Sequence, residues 1–434
     1  MDLTVLATIG LAVWGVFLVL GMPIAFASAL VGFVGLFALK GWGAAGDAVA
    51  FLSYRITADY NLTVIPLFII MGYFAHFAGL TGDLFNTMRK WIGHLPGGLA
   101  IATIFGCAGF AACSGSSAAA AAVMGKATIP EMRKVGYDPK LATGVVAASG
   151  TMASLIPPSN MTVIYGIITQ QSIGVLLVAG FIPGLFEAVS YSLITFFIAR
   201  FRPKLAPVVP AASWRERVNS LKGVWGVLAI MVVVLGGLYL GIFTPTEAAG
   251  VAAFGTFVIA LALRKVTWAN LKESLYSTAK TTAMIFAVLV GVLILLRFLA
   301  LTGLLDSITR TVLLLPVHRM VILFGIIIVY LILGMFVTAL GMMMITIPIF
   351  YPVIIQLGFD PIWFGIIVIK MVEIALITPP VGMNVFVVKS VAPEVPMWDI
   401  FKGTFPYLSM DVMNVTAMII FPQIILWVPS TMMR

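Results

Sequence analysis

Two short stretches of the chain place hydroxyl and amide oxygens beside a pair of prolines. The first is Leu155-Ile156-Pro157-Pro158-Ser159-Asn160. The second, Leu376-Ile377-Thr378-Pro379-Pro380-Val381-Gly382-Met383-Asn384, sets its prolines 222 residues further on. Both lie inside long apolar segments. Proline lacks the N–H and clashes with the preceding turn, so each pair should break a helix and free backbone groups. In hydrocarbon, freed groups are tolerated only against protein or along a cavity. Around the first break stand Ser114, Ser116, Ser117, Ser149, Thr151, Ser159 and Asn160; around the second, Thr338, Thr378 and Asn384. Uncharged hard oxygens and freed carbonyls suit Na⁺, while the positive ends of half-helices suit an anion. Small residues also let membrane helices pack closely. That accounts for the alanines at 118–122 and for some serines, but less well for two matching diproline–asparagine stretches.

Charged residues within apolar segments are few. Arg297, in Leu293-Ile294-Leu295-Leu296-Arg297-Phe298, is a functional candidate by default, either clamping a carboxylate or snorkelling to the interface. Lys370 and Glu373, three apart on one helical segment, are expected to neutralise each other. Met342-Met343-Met344 reads as packing. Ala112-Cys113-Ser114-Gly115 is faintly like a serine-protease nucleophile, which would need a histidine base within reach. Of His76, His94 and His318, only His76 lies well inside an apolar segment. There is no His-Glu-x-x-His, phosphate loop or pair of catalytic carboxylates, so an enzyme is not expected. Cys107 and Cys113, without neighbouring histidines, suggest neither a disulfide framework nor a transition-metal site.

The elements that carry these residues must be membrane helices. Of 434 residues 62% are hydrophobic and 9% charged, against roughly 25% charged in soluble domains; the mean hydropathy is +1.14. The net charge of +9 sits in short loops between apolar segments. That distribution points to membrane topology and not to nucleic acid. Segments 98–112 and 118–129 flank Cys113-Ser114-Gly115-Ser116-Ser117. Each is shorter than the ~20 residues needed to cross, so together they read as a re-entrant hairpin, 98–129, followed by a broken helix over 140–170. The order returns as a hairpin at 321–355, a broken helix at 362–390 and a last span at 406–428. Pro23 and Pro245, and Gly136-Tyr137-Asp138-Pro139 and Gly358-Phe359-Asp360-Pro361, are also 222 apart. The expected fold is therefore an all-α polytopic membrane protein of two repeats. The repeats divide at 1–80 and 81–200 and at 223–302 and 303–434, with a basic loop at 201–222. Lysines and arginines crowd around the first hairpin and not the second, so the positive-inside rule makes the repeats inverted, with both termini periplasmic. Inverted repeats with paired broken helices point to a secondary transporter.

The stretches Gly106-Cys107-Ala108-Gly109-Phe110, Ser114-Gly115-Ser116-Ser117, Ala147-Ala148-Ser149-Gly150-Thr151 and Phe243-Thr244-Pro245-Thr246-Glu247-Ala248-Ala249, with both diproline motifs, resemble the large membrane subunit of TRAP (tripartite ATP-independent periplasmic) transporters. The resemblance runs over essentially the whole chain. It implies a bacterial or archaeal inner-membrane, Na⁺-driven importer of organic acids such as C4-dicarboxylates or sialic acid, working as an elevator without a cofactor. It also implies two partners, a small four-helix membrane subunit and a periplasmic substrate-binding protein. By position it places one sodium ion near Ser114, Gly115, Ser116, Ser149, Thr151, Pro157 and Asn160. A second falls near Thr338, Gly341, Thr378, Pro379, Gly382 and Asn384. Substrate would lie between them, at Ser117, Ser159, Asn160 and Arg297. The family often has an aspartate where Gly334-Met335-Phe336-Val337 is followed here by Thr338. Stand-alone sodium–dicarboxylate symporters share this architecture and are the alternative.

Overall fold

A few recurring residues set the helix ends on which the rest depends. At Gly136-Tyr137-Asp138-Pro139 and Gly358-Phe359-Asp360-Pro361 the glycine takes positive φ, 91° and 75°, and closes the preceding helix. The aspartate then caps the next one. Asp138 accepts from the N–H groups of Lys140 and Leu141, at 2.8 and 3.3 Å. Asp360 accepts from those of Ile362 and Trp363, at 2.8 and 2.9 Å. Proline fills the first helical position, where its missing N–H costs nothing.

The computed structural model describes residues 3–335 and 337–432; Phe336, in the stretch leading to Thr338, lies outside the described residues. Among those described there is no strand. The chain is an all-α polytopic membrane protein with seven helices long and apolar enough to cross a bilayer, or eight counting a bent pair. The first hairpin is Gly98–Ser114 and Ser117–Lys134, and the second Arg319–Gly334 and Ala339–Gln356. At 16 to 18 residues each arm is about 24–27 Å long; Ala339–Gln356 is one of the seven helices long and apolar enough to cross, and the other three arms are not. The broken segments are Pro139–Thr151 with Asn160–Thr169, and Pro361–Ile377 with Met383–Val391. Both diprolines hold a cis peptide bond. Helices Ser117–Lys134 and Ala339–Gln356 begin and end 222 residues apart.

Two helices are unusually long. Trp268–Leu301 runs on because no proline interrupts it, and Ile24–Thr57 continues through a kink at Gly41. The last segment is Met397–Ile420 followed by Gln423–Thr431, bent by 57° at Phe421-Pro422, where proline cannot extend the preceding turn.

Glycines decide how closely these helices meet. A Cβ on Gly32 would stand 2.5 Å from the Leu295 nitrogen, and one on Gly291 2.2 Å from the Ala25 oxygen. Ile24–Thr57 and Trp268–Leu301 thus touch backbone to backbone, as small residues permit in membranes. Gly144 and Gly403 do the same for Pro139–Thr151 and Met397–Ile420, with a Cβ on Gly144 only 2.2 Å from the Gly403 carbonyl carbon.

The two broken segments run in opposite directions. The start of the first meets the chain just beyond the end of the second: Lys140 pairs with Asp399 at 3.3 Å, and nearby Arg133 pairs with Glu394. The end of the first meets the start of the second. The Tyr165 hydroxyl donates to the Pro361 carbonyl at 2.7 Å, and the Gln171 amide to the Tyr351 hydroxyl at 2.8 Å.

Candidate functional site

The helix ends at the first hairpin tip and the first break are capped by serines, and those of the second half, behind Thr338 and Gly382, carry no side-chain cap. Ser116 caps Ser117–Lys134 by accepting from the Ala119 N–H at 3.4 Å. Ser159 caps Asn160–Thr169 by accepting from the Thr162 N–H at 3.2 Å, while its hydroxyl donates to the Ser154 carbonyl. The first hairpin tip rests on the first diproline. A Cβ on Gly115, whose φ is +58°, would lie 2.7 Å from the Pro158 oxygen and 3.5 Å from the Asn160 nitrogen. Only a residue without a side chain makes that approach. Behind the tip, the Ser117 and Ser154 hydroxyls lie 2.5 Å apart. The two halves of the chain also touch here, since the Asn384 amide donates to the Ala147 carbonyl at 3.2 Å.

One cavity of about 880 Å³ brings both breaks and both hairpin tips together. Ser114, Gly115, Ser116 and Ser117 line it from the first tip and Thr338 from the second; Asn160 and Asn384 enter from the two broken helices. The helices beginning at Ser117, Asn160, Ala339 and Met383 all present their first residue to it. Their N-termini therefore bring four positive dipole ends, with N–H groups that have no partner within their own helix except where Ser116 and Ser159 each cap one. No aspartate, glutamate, lysine or arginine is among its described lining residues. A smaller cavity, about 50 Å³, lies between Thr338 and Gly382.

The remaining candidates stand back from the main cavity. Ser149, Thr151 and Ser159 are buried in the first break, beside Pro157. Thr378 is buried in the second, its hydroxyl committed to the Ile374 carbonyl at 2.6 Å, with Pro379 next to it. Gly341 faces Ile24, whose side chain a Cβ would strike at 2.2 Å. Arg297 is not at the site. It is exposed on Trp268–Leu301 and is absent from the cavity lining, which fits snorkelling and not a carboxylate clamp. The register of its helix turns it away while Ile294, Leu295 and Phe298 pack inward.

The residues present suit a sodium ion. Ser114 Oγ, Ser149 Oγ and Asn160 Oδ1 in the first break, and Asn384 Oδ1 in the second, are buried without a hydrogen-bond partner among the described residues. Uncommitted neutral oxygens are what a hard monovalent cation coordinates, and leaving them unpaired is otherwise costly. Tyr73, His76, Ser154 and Thr281 also line the cavity and are not among the binding residues expected from the sequence. His76, an imidazole inside an apolar segment, is the one of them with a sequence signal.

The sequence model of the family described as "Tripartite ATP-independent periplasmic transporter, DctM component" matches residues 11–424. The chain belongs to this family. It is 35% identical to the C4-dicarboxylate TRAP transporter large permease protein DctM of Pseudomonas aeruginosa, over 88% of this chain and 89% of that one. It is also 35% identical to the isethionate TRAP transporter permease protein DctMQ of Oleidesulfovibrio alaskensis, over 87% of this chain but 59% of the longer relative. Among solved structures, the YdaH transporter of Alcanivorax borkumensis superimposes with a TM-score of 0.60 at 14% identity, covering 85% of this chain and 87% of that one. That likeness concerns the fold alone. Members of the DctM family are transport permeases and not enzymes. Large permeases of TRAP systems act with a substrate-binding protein and a small membrane subunit.

Proposed function

We propose that this chain is the large permease of a sodium-coupled importer of small organic acid anions, acting in the bacterial or archaeal inner membrane with both termini periplasmic. The observation that carries this reading is the cavity at the two breaks, lined by hydroxyls, amides and four helix N-termini and by no formally charged side chain. Substrate anion then meets helix dipoles and bound cations, so cation and anion favour each other's binding. One sodium site lies at Ser114, Gly115, Ser116, Ser149, Thr151, Pro157 and Asn160. The other lies at Thr338, Gly341, Thr378, Pro379, Gly382 and Asn384, with Ser117, Ser159 and Asn160 toward substrate. The segments 81–200 and 303–434 form a transport domain that moves as an elevator past the scaffold of 1–80 and 223–302. The opposed courses of the two broken segments are the contacts inverted repeats would make. A small four-helix membrane subunit and a periplasmic binding protein complete the importer. The substrate class rests on the named substrates of the relatives, a C4-dicarboxylate and isethionate.

The test is uptake into proteoliposomes holding this chain with a small subunit, run with and without an inward Na⁺ gradient and a purified binding protein. Uptake of an organic acid requiring both is the expected result. Uptake requiring Na⁺ alone would make the chain a stand-alone symporter, a reading that family membership disfavours. Uptake indifferent to Na⁺ would remove the sodium sites.

A further inference from the structure

A second polar place lies inside the transport segments, away from the cavity. Lys370 on Pro361–Ile377 is fully buried, and its ammonium touches three carboxylates from three helices. Glu187 of Phe181–Phe201 is 2.7 Å away, Asp411 of Met397–Ile420 is 2.8 Å away, and Glu373 is 3.0 Å away, all fully buried. The expected Lys370–Glu373 pairing is present, but as part of a cluster whose formal charges do not cancel. Among the described residues, no other cation forms an ion pair with any of the three carboxylates. If all were ionised, the site would carry a net −2 in a low-dielectric interior. Several kcal/mol per uncompensated ion and the repulsion of crowded carboxylates exclude that state.

The hydrogen bonds indicate which groups keep their charge. Asp411 Oδ1 accepts from both Lys370 and the Tyr191 hydroxyl, the latter at 2.7 Å. Glu187 Oε1, Glu373 Oε1 and Asp411 Oδ2 accept nothing and are buried, so of the three carboxyl groups only Asp411 also has a neutral donor, Tyr191. One turn beyond Asp411, Asn414 is fully buried and its amide donates to Ser190 Oγ at 2.9 Å, bridging the helices of Glu187 and Asp411. Its Oδ1 also lacks a donor. A site with several buried acceptors and too few donors is short of protons. Among the described residues, the other titratable group in contact with it is Tyr191, whose ring meets that of Tyr407 at 5.1 Å; the Tyr407 hydroxyl is engaged with Thr195 at 3.0 Å.

We infer that Glu187 and Glu373 form a proton-binding site within the transport domain, holding at least one exchangeable proton between their carboxyl groups while Lys370 and Asp411 remain an ion pair. The proton turns one carboxylate into a donor for the acceptors around it. Because the two groups face one ammonium, their protons belong to the pair and not to either residue. Lys370 and Glu373 share a helix with the break at Thr378, so the proton load bears on the element that carries the second set of candidate sodium oxygens. This inference goes beyond the proposed import reaction and does not depend on it.

The test is infrared spectroscopy of the purified full chain in lipid, at neutral pH, in H₂O and D₂O. Glu187, Glu373 and Asp411 are the only buried carboxyl groups among the described residues, so a protonated-carboxyl C=O band at that pH reports on this cluster. The expected wild-type spectrum shows such a band, shifted in D₂O. Glu187→Gln and Glu373→Gln each reduce it by half or more. Lys370→Met, which removes the one cation, enlarges it. A wild-type spectrum without the band would assign the charge balance to a bound cation and overturn the proposal, whether or not any variant folds. A band unchanged in both glutamine variants would overturn it as well. The measurement involves no transport, so its outcome is separate from that of the sodium reading.

Discussion

The second break and the Lys370 cluster lie on one continuous course of chain, yet they hold polarity in the membrane in opposite ways. At the break, Asn384 lines a cavity with no formal charge, and its Oδ1 is left without a donor among the described residues. Two turns earlier, four ionisable side chains are sealed among Phe181–Phe201, Pro361–Ile377 and Met397–Ile420 with no exposure. The proposed sodium sites could take up and release a cation because none of their ligands carries a charge that would have to be abandoned. The cluster can exchange a proton but cannot lose a side chain, because removing one partner strands the others. Neutral oxygens suit exchange of a metal ion, and a buried ion pair suits permanence.

Substitutions should separate the two. Lys370→Met leaves three buried carboxyl groups without a cation, and breaking such a cluster costs about 3–5 kcal/mol. Thermal unfolding in lipid nanodiscs should shift down by several degrees, and a wild-type transition would mean that the cluster is not a stabilising unit. Asn160→Ala and Asn384→Ala should leave unfolding near wild type while Na⁺ affinity for uptake falls roughly 10–100-fold, the worth of about 1.5–3 kcal/mol for a polar bond to a charge. Wild-type Na⁺ dependence in both would take those amides out of the site. Gly144→Ala drives a methyl into the Gly403 backbone; overpacking of this kind costs about 1–3 kcal/mol, and the same melting assay reads it. The smallest effect is expected for Arg297→Ala. Its exposure predicts substrate affinity within about twofold of wild type, and a larger loss would bring it back to the substrate.

What the sequence revealed and what it hid follow from the range of the interactions. Pro157-Pro158, Pro379-Pro380 and the Gly-x-Asp-Pro turns act through their own backbones, so the hairpins and breaks were legible from spacing alone. The meeting of Gly115 with Pro158, or of Asn384 with Ala147, joins distant segments. The first followed from resemblance in outline only, and the second from nothing in the spacing. Arg297 misled because its depth along a span was readable but its rotation about the helix was not. Lys370 and Glu373 looked like a closed pair because their neighbours in the chain were visible. Glu187 and Asp411 are each a lone acid in a long apolar helix, a costly placement. That signal was present and went unused.

The charge-free lining of the large cavity also bears on membrane voltage. Moving one elementary charge through 100 mV is worth about 2.3 kcal/mol. A carrier whose binding site has no fixed charge moves only the charge of its cargo. In the proposed elevator cycle, if Glu187 and Glu373 together hold enough protons to balance the cluster, the unloaded domain would return across the membrane without electrical work. All current would then belong to the loaded stroke, and a hyperpolarised membrane would accelerate the proposed import without slowing the reset.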